Sequence, residues 1–290
     1  MLSRVTFLSG LKPDIPASDI KGVIEHIASL GCRVSLDPAY HDVFPDGSDM
    51  VFKSSDDTLF DDSDMIVVMG GDGSIIEAAR RSLKYDIPIL GINFGRIGYL
   101  AEIEAGETAL LDKIISGDFR TEERMMLDVE IERDGDLIRM MYPCLNETVL
   151  SNAPISRVAS FDLYCGGDHA VHCFADGMIV STPTGSSAYS MSAGGPLIYP
   201  TMECILATPI CPHSFTLRPI VFTGDSVIEI RNASCRMNKM FVTIDGRDNE
   251  EIYTSDTIRI KKSASTTKLV RVKDGGFINT LHTKLGKNNI

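Results

Sequence analysis

Five consecutive apolar residues, Met65-Ile66-Val67-Val68-Met69, run without a break into Gly70-Gly71-Asp72-Gly73-Ser74. An apolar run of this kind predicts a strand buried on both faces, as in a parallel sheet covered by helices. The next segment, IIEAARRSL, is apolar at Ile75, Ile76, Ala79 and Leu83, the spacing of one helix face. Ile87 to Ile92 then repeats the buried-strand pattern and ends in NFGRIGYL at 93–100. Strand, glycine turn, helix, strand is a right-handed crossover unit, and ligands in such sheets sit at the carboxyl ends of the strands. The loops at 70–74 and 93–98 both lie there.

Elsewhere in the first third, Arg4 to Ser9 reads as a strand. Ser18 is placed as the cap of a helix running through Val23, Ile24, Ile27 and Leu30 to a stop at Gly31. After a helix around Gly106 to Ser116 the period changes to two. Met126 to Ile131, the turn Asp134-Gly135 and Leu137 to Met141 read as a hairpin. Further strands are expected at Val158–Cys165, Ala170–Phe174, Ser226–Ile230, Lys239–Ile244 and Thr257–Ile260, with one helix near 185–193. The predicted fold class is an N-terminal α/β domain with a parallel sheet plus a mainly β C-terminal domain. The boundaries are 1–121 and 122–267, with the tail 268–290 free to return to the first domain.

Composition narrows the partners. With 28 Lys+Arg against 40 Asp+Glu the formal charge is −12. Such a surface disfavours nucleic acid and anionic membranes, so a phosphorylated small molecule would need local devices for its charge. Seven scattered cysteines without a CxxC pair, and no stretch near the ~20 apolar residues of a membrane span, predict a cytoplasmic protein with reduced thiols.

Three segments carry chemistry. In Gly70-Gly71-Asp72-Gly73-Ser74 the glycines let peptide N–H groups approach phosphate, and a helix N-terminus adds favourable dipole. Asp72 would repel phosphate unless it holds a cation or faces an attacking hydroxyl, and both roles belong to phosphoryl transfer. The competing reading is a tight turn with Asp72 as helix cap. The block from Asp176 to Pro196 is crowded with hydroxyl residues and glycines around Tyr189, a lining suited to ribose, phosphate and a flat base. Asn146-Glu147, at the end of a strand Leu145–Leu150, offers an amide for an adenine edge and a carboxylate for ribose hydroxyls, or is simply a polar strand end. His169, His172 and Cys173 are read as packing, because strand alternation puts 172 on the face opposite 169 and 173.

Together with NFGRIGYL and Ile244-Asp245-Gly246, these segments resemble the NAD kinase family in order from about residue 65 to residue 247. GGDG alone is also carried by 6-phosphofructokinases and by diacylglycerol and sphingosine lipid kinases; the long block is more specific. The resemblance implies Mg²⁺-dependent (or other divalent-cation) transfer of the ATP γ-phosphoryl group to the 2′-hydroxyl of the adenosine ribose of NAD, giving NADP. It further implies Asp72 as proton acceptor, with Gly70, Gly71 and Gly73 beside the ligand and Asn146 and Glu147 gripping the adenosine. Asp176, Ser187, Ala188, Tyr189 and Ser192 would line the dinucleotide. Arg157 would be a contact across a subunit boundary, or a solvated arginine, in a homodimer or homotetramer. Ser187 stands where threonine is common, Tyr99 where phenylalanine is usual and Phe174 where several members have arginine. Arg247 replaces a frequent glutamine, and its ligand role follows only by position. The alternatives are a lipid kinase of the diacylglycerol kinase type, disfavoured by the charge and the lack of an amphipathic stretch, and a non-catalytic NADP sensor.

Overall fold

The computed structural model describes residues 2–9, 15–44, 51–52, 56–95, 98–152, 158–234 and 239–286. The chain divides into two compact units, Met1–Glu123 with Thr267–Ile290, and Arg124–Thr266.

The first unit begins with β1 (Arg4–Ser9), α1 (Ala17–Ser29), β2 (Arg33–Leu36), β3 (Val51–Phe52) and α2 (Asp56–Leu59). It continues with β4 (Met65–Gly70), α3 (Asp72–Arg81), β5 (Ile89–Asn93), β6 (Ile103–Glu104) and α4 (Ala109–Ser116). Its sheet runs β5-β4-β1-β2-β3, every pair parallel. All six residues of β4 are buried, as the unbroken apolar run requires. Chain order reverses between β1 and β4, so the carboxyl end of β4 lies at the topological switch point, where open α/β sheets bind ligands. α3 packs there through Ile75, Ile76, Ala78 and Ala79. Gly91 makes the fit possible, since a Cβ on it would lie 2.4 Å from Ile75 Cδ1. Ser18 does not cap α1: the cap lies two residues earlier, at Pro16, and the Ser18 hydroxyl donates to the Asp19 carboxylate at 3.3 Å. Proline's fixed φ presets the first turn without a side-chain cap.

The second unit holds most of β7 (Arg120–Arg133), followed by β8 (Asp136–Arg139), β9 (Glu147–Ser151), β10 (Ala159–Cys165), β11 (Asp168–Ala175) and β12 (Gly177–Ser181). After α5 (Tyr189–Ser192) come β13 (Cys204–Ile210), β14 (Ile220–Thr223), β15 (Ile228–Asn232), β16 (Lys239–Ile244), β17 (Asp248–Tyr253) and β18 (Thr257–Arg271). One antiparallel sheet runs β14-β13-β12-β9-β16-β17; a second joins β11, β10, β15 and the start of β18, with the β7–β8 hairpin beside it. The apolar faces of the two sheets meet in one core that includes Leu150, Val180, Ile205, Val242, Phe161, Leu163, Ile230 and Ile258. The Asp134-Gly135 turn has both residues at positive φ, +52° and +88°, the conformation of a two-residue hairpin loop.

The end of β18 passes into the first unit, where Leu269 pairs in parallel with Ile89, and α6 (Gly276–Gly286) follows. Phe277 of α6 lies 6.2 Å from the Tyr99 ring, centroid to centroid. The architecture is the expected one, an α/β domain and a mainly β domain. Three corrections apply in the second unit. The helix near 185–193 is a 3₁₀ turn, Gly185–Ser187, plus the single turn of α5, because glycine and hydroxyl residues there bond locally instead of propagating a helix. The strand Leu145–Leu150 is β9, Glu147–Ser151, so Asn146 precedes it. The strict alternation applied to His169 and His172 fails: the register of β10 on β11 shifts between Leu163 and Tyr164, and both imidazoles reach Asp162 Oδ1, at 3.2 and 2.7 Å.

Candidate active site

The glycine loop expected at 70–74 is shorter than its sequence suggests. Gly70 ends β4, Gly71 is the N-cap of α3 in extended conformation, and Asp72 and Gly73 already belong to the first turn of the helix. Only Gly71 links strand to helix, so the peptide N–H groups at this end are those of a helix N-terminus, with its affinity for anions. A Cβ on Gly73 would meet nothing, which leaves open space beside it.

Asp72 is not the N-cap but the residue after it. Its carboxylate is held by the 98–100 segment: Tyr99 N–H donates to Oδ2 at 2.8 Å and Leu100 N–H to Oδ1 at 3.0 Å. A Cβ on Gly98 would lie 2.0 Å from Asp72 Oδ1, so only glycine allows this approach. Each oxygen keeps a further lone pair able to accept from a hydroxyl. The fixed orientation costs the site no rearrangement when a substrate arrives. Burial first, and the Asp72 charge second, push the Tyr99 phenol up from its ordinary value.

In the second unit, Asn146 and Glu147 are brought to the 185–189 turn. Gly185 packs so close to Asn146 that a Cβ would fall 2.1 Å from the Asn146 carbonyl oxygen. Tyr189 N–H donates to the Glu147 carboxyl, whose Oε2 is buried without a partner. Burial first, and the neighbouring Asp245 carboxylate second, push Glu147 up to about 8. Across the strands Ser181 opposes Glu147, and its buried hydroxyl also lacks a partner. These are two buried polar atoms without partners on paired residues, the kind of exception that marks a functional rather than a packing position. Ser187 is half-buried and donates to the Thr184 carbonyl at 3.1 Å; Ala188 is half-buried, while Tyr189 and Ser192 are exposed on α5. Arg247 is exposed and acts electrostatically on Asp245.

Asp176 is not brought to this cluster. It precedes β12 at the end paired with Ser151, whereas Glu147 pairs with Ser181 at the other end, roughly 13 Å along the strand at about 3.3 Å per residue. Phe174 is exposed near that far end, its ring against His172. Arg157 lies outside the described residues. Sequence reasoning gave no separate role to Asp245, Thr182 or Gly98, which bind their partners through contacts distant along the chain. Among the described residues no group of three His, Cys, Asp or Glu side chains could hold a metal ion.

Residues 42–119 match the ATP-NAD kinase N-terminal domain and residues 145–272 the ATP-NAD kinase C-terminal domain. The NAD kinase of Natranaerobius thermophilus is 37% identical over 272 residues, 90% of this chain and 94% of the relative. The chain belongs to the NAD kinase family. The NAD kinases of Citrifermentans bemidjiense and Symbiobacterium thermophilum are 39% and 41% identical, each over 77% of this chain and 78% of the relative. Among solved structures, an NAD kinase from Archaeoglobus fulgidus in complex with ATP aligns over 99% of both chains with a TM-score of 0.73 at 25% identity. Yeast NADH kinase complexed with NADH has the same fold, with a TM-score of 0.89 over 100% of this chain and 89% of that one at 23% identity. Family membership disfavours the lipid-kinase and sensor alternatives.

Proposed function

We propose that the protein is a phosphotransferase with an alcohol acceptor, transferring the ATP γ-phosphoryl group to the 2′-hydroxyl of the adenosine ribose of NAD to give NADP. The observation that carries this reading is the Asp72 carboxylate, fixed at a helix N-terminus by two peptide N–H groups while its remaining lone pairs stay open. Phosphoryl transfer asks little covalent chemistry of the protein; it asks for an oriented hydroxyl and neutralised phosphate charge. Asp72 accepts the hydroxyl proton or its hydrogen bond. Asn146 and Glu147 take the adenosine, and Ser187, Ala188, Tyr189 and Ser192 line the dinucleotide.

Among the described residues no cluster of His, Cys, Asp or Glu would hold a resident metal ion, so a divalent cation would enter with ATP and offset its phosphate charge. Asp176, assigned to the dinucleotide by resemblance, stands at the wrong end of β12 for its own subunit's Glu147. A second copy supplying Asp176 reconciles the two, in a homodimer or homotetramer. The setting is the cytoplasm; among the described residues no helix is long and apolar enough to cross a membrane.

The test is to incubate the purified protein with Mg·ATP and NAD and follow NADP formation with an NADP-specific dehydrogenase. NADP appearing in step with ADP supports the assignment. NADP bound tightly but never formed would contradict it in favour of a sensor.

A further inference from the structure

Leu145, Asn146 and Glu147 are gripped from two sides by residues remote in the chain. Asp245 Oδ2 accepts from Leu145 N–H at 2.8 Å, and Oδ1 accepts from Asn146 N–H at 2.9 Å and Glu147 N–H at 3.0 Å. Asp245 N–H in turn donates to the Glu147 carbonyl at 3.0 Å. From the other side Thr182 Oγ1–H donates to the Leu145 carbonyl at 2.6 Å, and Thr182 N–H donates to the Asn146 carbonyl at 2.9 Å. The same Thr182 oxygen accepts Gly185 N–H at 3.1 Å, tying the clamp to the hydroxyl block. Every peptide N–H and C=O of the three residues is thus paired with Asp245 or Thr182. What this stretch keeps free of backbone duty, at the start of its strand, is the Asn146 amide and the Glu147 carboxyl.

Asp245 reaches this place because it sits at φ +47° beside Gly246 at +69°, a left-handed pair turning β16 into β17. Aspartate tolerates that conformation, and its short side chain then folds back over the start of β9. An apolar residue here would leave three peptide N–H groups unsatisfied, and asparagine would keep an acceptor at only one of the two positions.

We propose that Asp245 and Thr182 are positioning residues for dinucleotide binding: together they fix the Asn146-Glu147 backbone and so aim its two side chains at the adenosine. The proposal rests on the NAD kinase reading. It has an electrostatic corollary. Among the described residues, the charged or titratable groups around Glu147 are Asp245, Arg247 acting through Asp245, and the buried Cys144 thiol, while Tyr189 contributes its peptide N–H. Removing the Asp245 charge therefore makes Glu147 easier to ionise.

The experiment compares wild type, Asp245→Asn and Thr182→Val in steady-state assays with Mg·ATP and NAD from pH 6 to 9. In both variants the NAD KM is expected to rise roughly 10- to 100-fold, with kcat and the ATP KM within about threefold. An inflection in NAD KM is expected near pH 8 in wild type, moving lower in Asp245→Asn and staying in place in Thr182→Val. A merely structural role would lower kcat with the folded fraction and leave both KM and the inflection alone, and that result overturns the proposal. Should one variant fail to fold, the other is decided by the same KM split. A wild-type protein that binds NAD but forms no NADP would strike the kinase reading instead. The clamp is then judged by the NAD Kd of the three proteins, equal values overturning it.

Discussion

Two carboxylates, one in each unit, meet opposite environments. Asp72 is half-buried, with each oxygen already bound to a peptide N–H and a glycine pressed against it. Glu147 is buried beside a second carboxylate, with one oxygen lacking any partner. The first is a group whose position is complete before substrate arrives, the arrangement suited to a reacting centre that must not reorganise. The second holds one peptide N–H from Tyr189 and keeps a buried oxygen unsatisfied, an incomplete arrangement suited to recognition. The same functional group is thus assigned to rate in one unit and to affinity in the other.

The largest expected effect breaks the comparison at its catalytic side. Asp72→Asn keeps shape but loses the proton acceptor, and kcat for NADP formation should fall roughly 10³-fold or more; near-normal turnover would remove Asp72 from the reaction. Next, Gly98→Ala should cut kcat on the order of 10²-fold, because the methyl group must displace the carboxylate it would otherwise touch. The NAD KM should hold, and a variant that loses NAD binding instead would show that the 98–100 segment serves recognition.

On the recognition side, Glu147→Ala should raise the NAD KM about tenfold or more with kcat little altered. The pH dependence sharpens this. Folding raises the Glu147 carboxyl from 4.5 to about 8, so its contribution to stability is present at low pH and is lost as pH rises through 8. At pH 8 the ligand-free protein is disfavoured by on the order of 4 kcal/mol relative to acid conditions through this group. Glu147→Gln should therefore raise Tm at pH 8 by several degrees and make almost no difference at pH 4, below the unfolded-state value, which a thermal scan at both pH values checks. The smallest effect is a control. Gly135→Ala, at φ +88° in the hairpin turn, should cost about 1 kcal/mol of stability and leave both kinetic constants alone.

Local patterns were legible in the chain. The apolar run ending at Gly70 announced a parallel strand, the Asp134-Gly135 pair announced a hairpin, and Asn146-Glu147 stood out as a polar pair at a strand end. What escaped was whatever depends on partners far along the chain. Asp245 meets Leu145 across 100 residues, and nothing in either tripeptide signals it. Gly98 matters because of Asp72 rather than because of its own turn. β13, a buried strand carrying Pro209, and β17, an acidic strand at the sheet edge, lack the alternation that reveals half-buried strands. The sequence predicts β18 only to Ile260 because its middle, KKSASTTK, is polar, yet pairing at both ends carries it to Arg271.

The division between the two carboxylates is tested most directly by titrating NAD into Asp72→Asn and Glu147→Ala and measuring Kd by calorimetry. Asp72→Asn is expected to bind NAD within about threefold of wild type, and Glu147→Ala about tenfold or more weaker. Weak binding by Asp72→Asn together with normal binding by Glu147→Ala would reverse the roles and contradict the assignment.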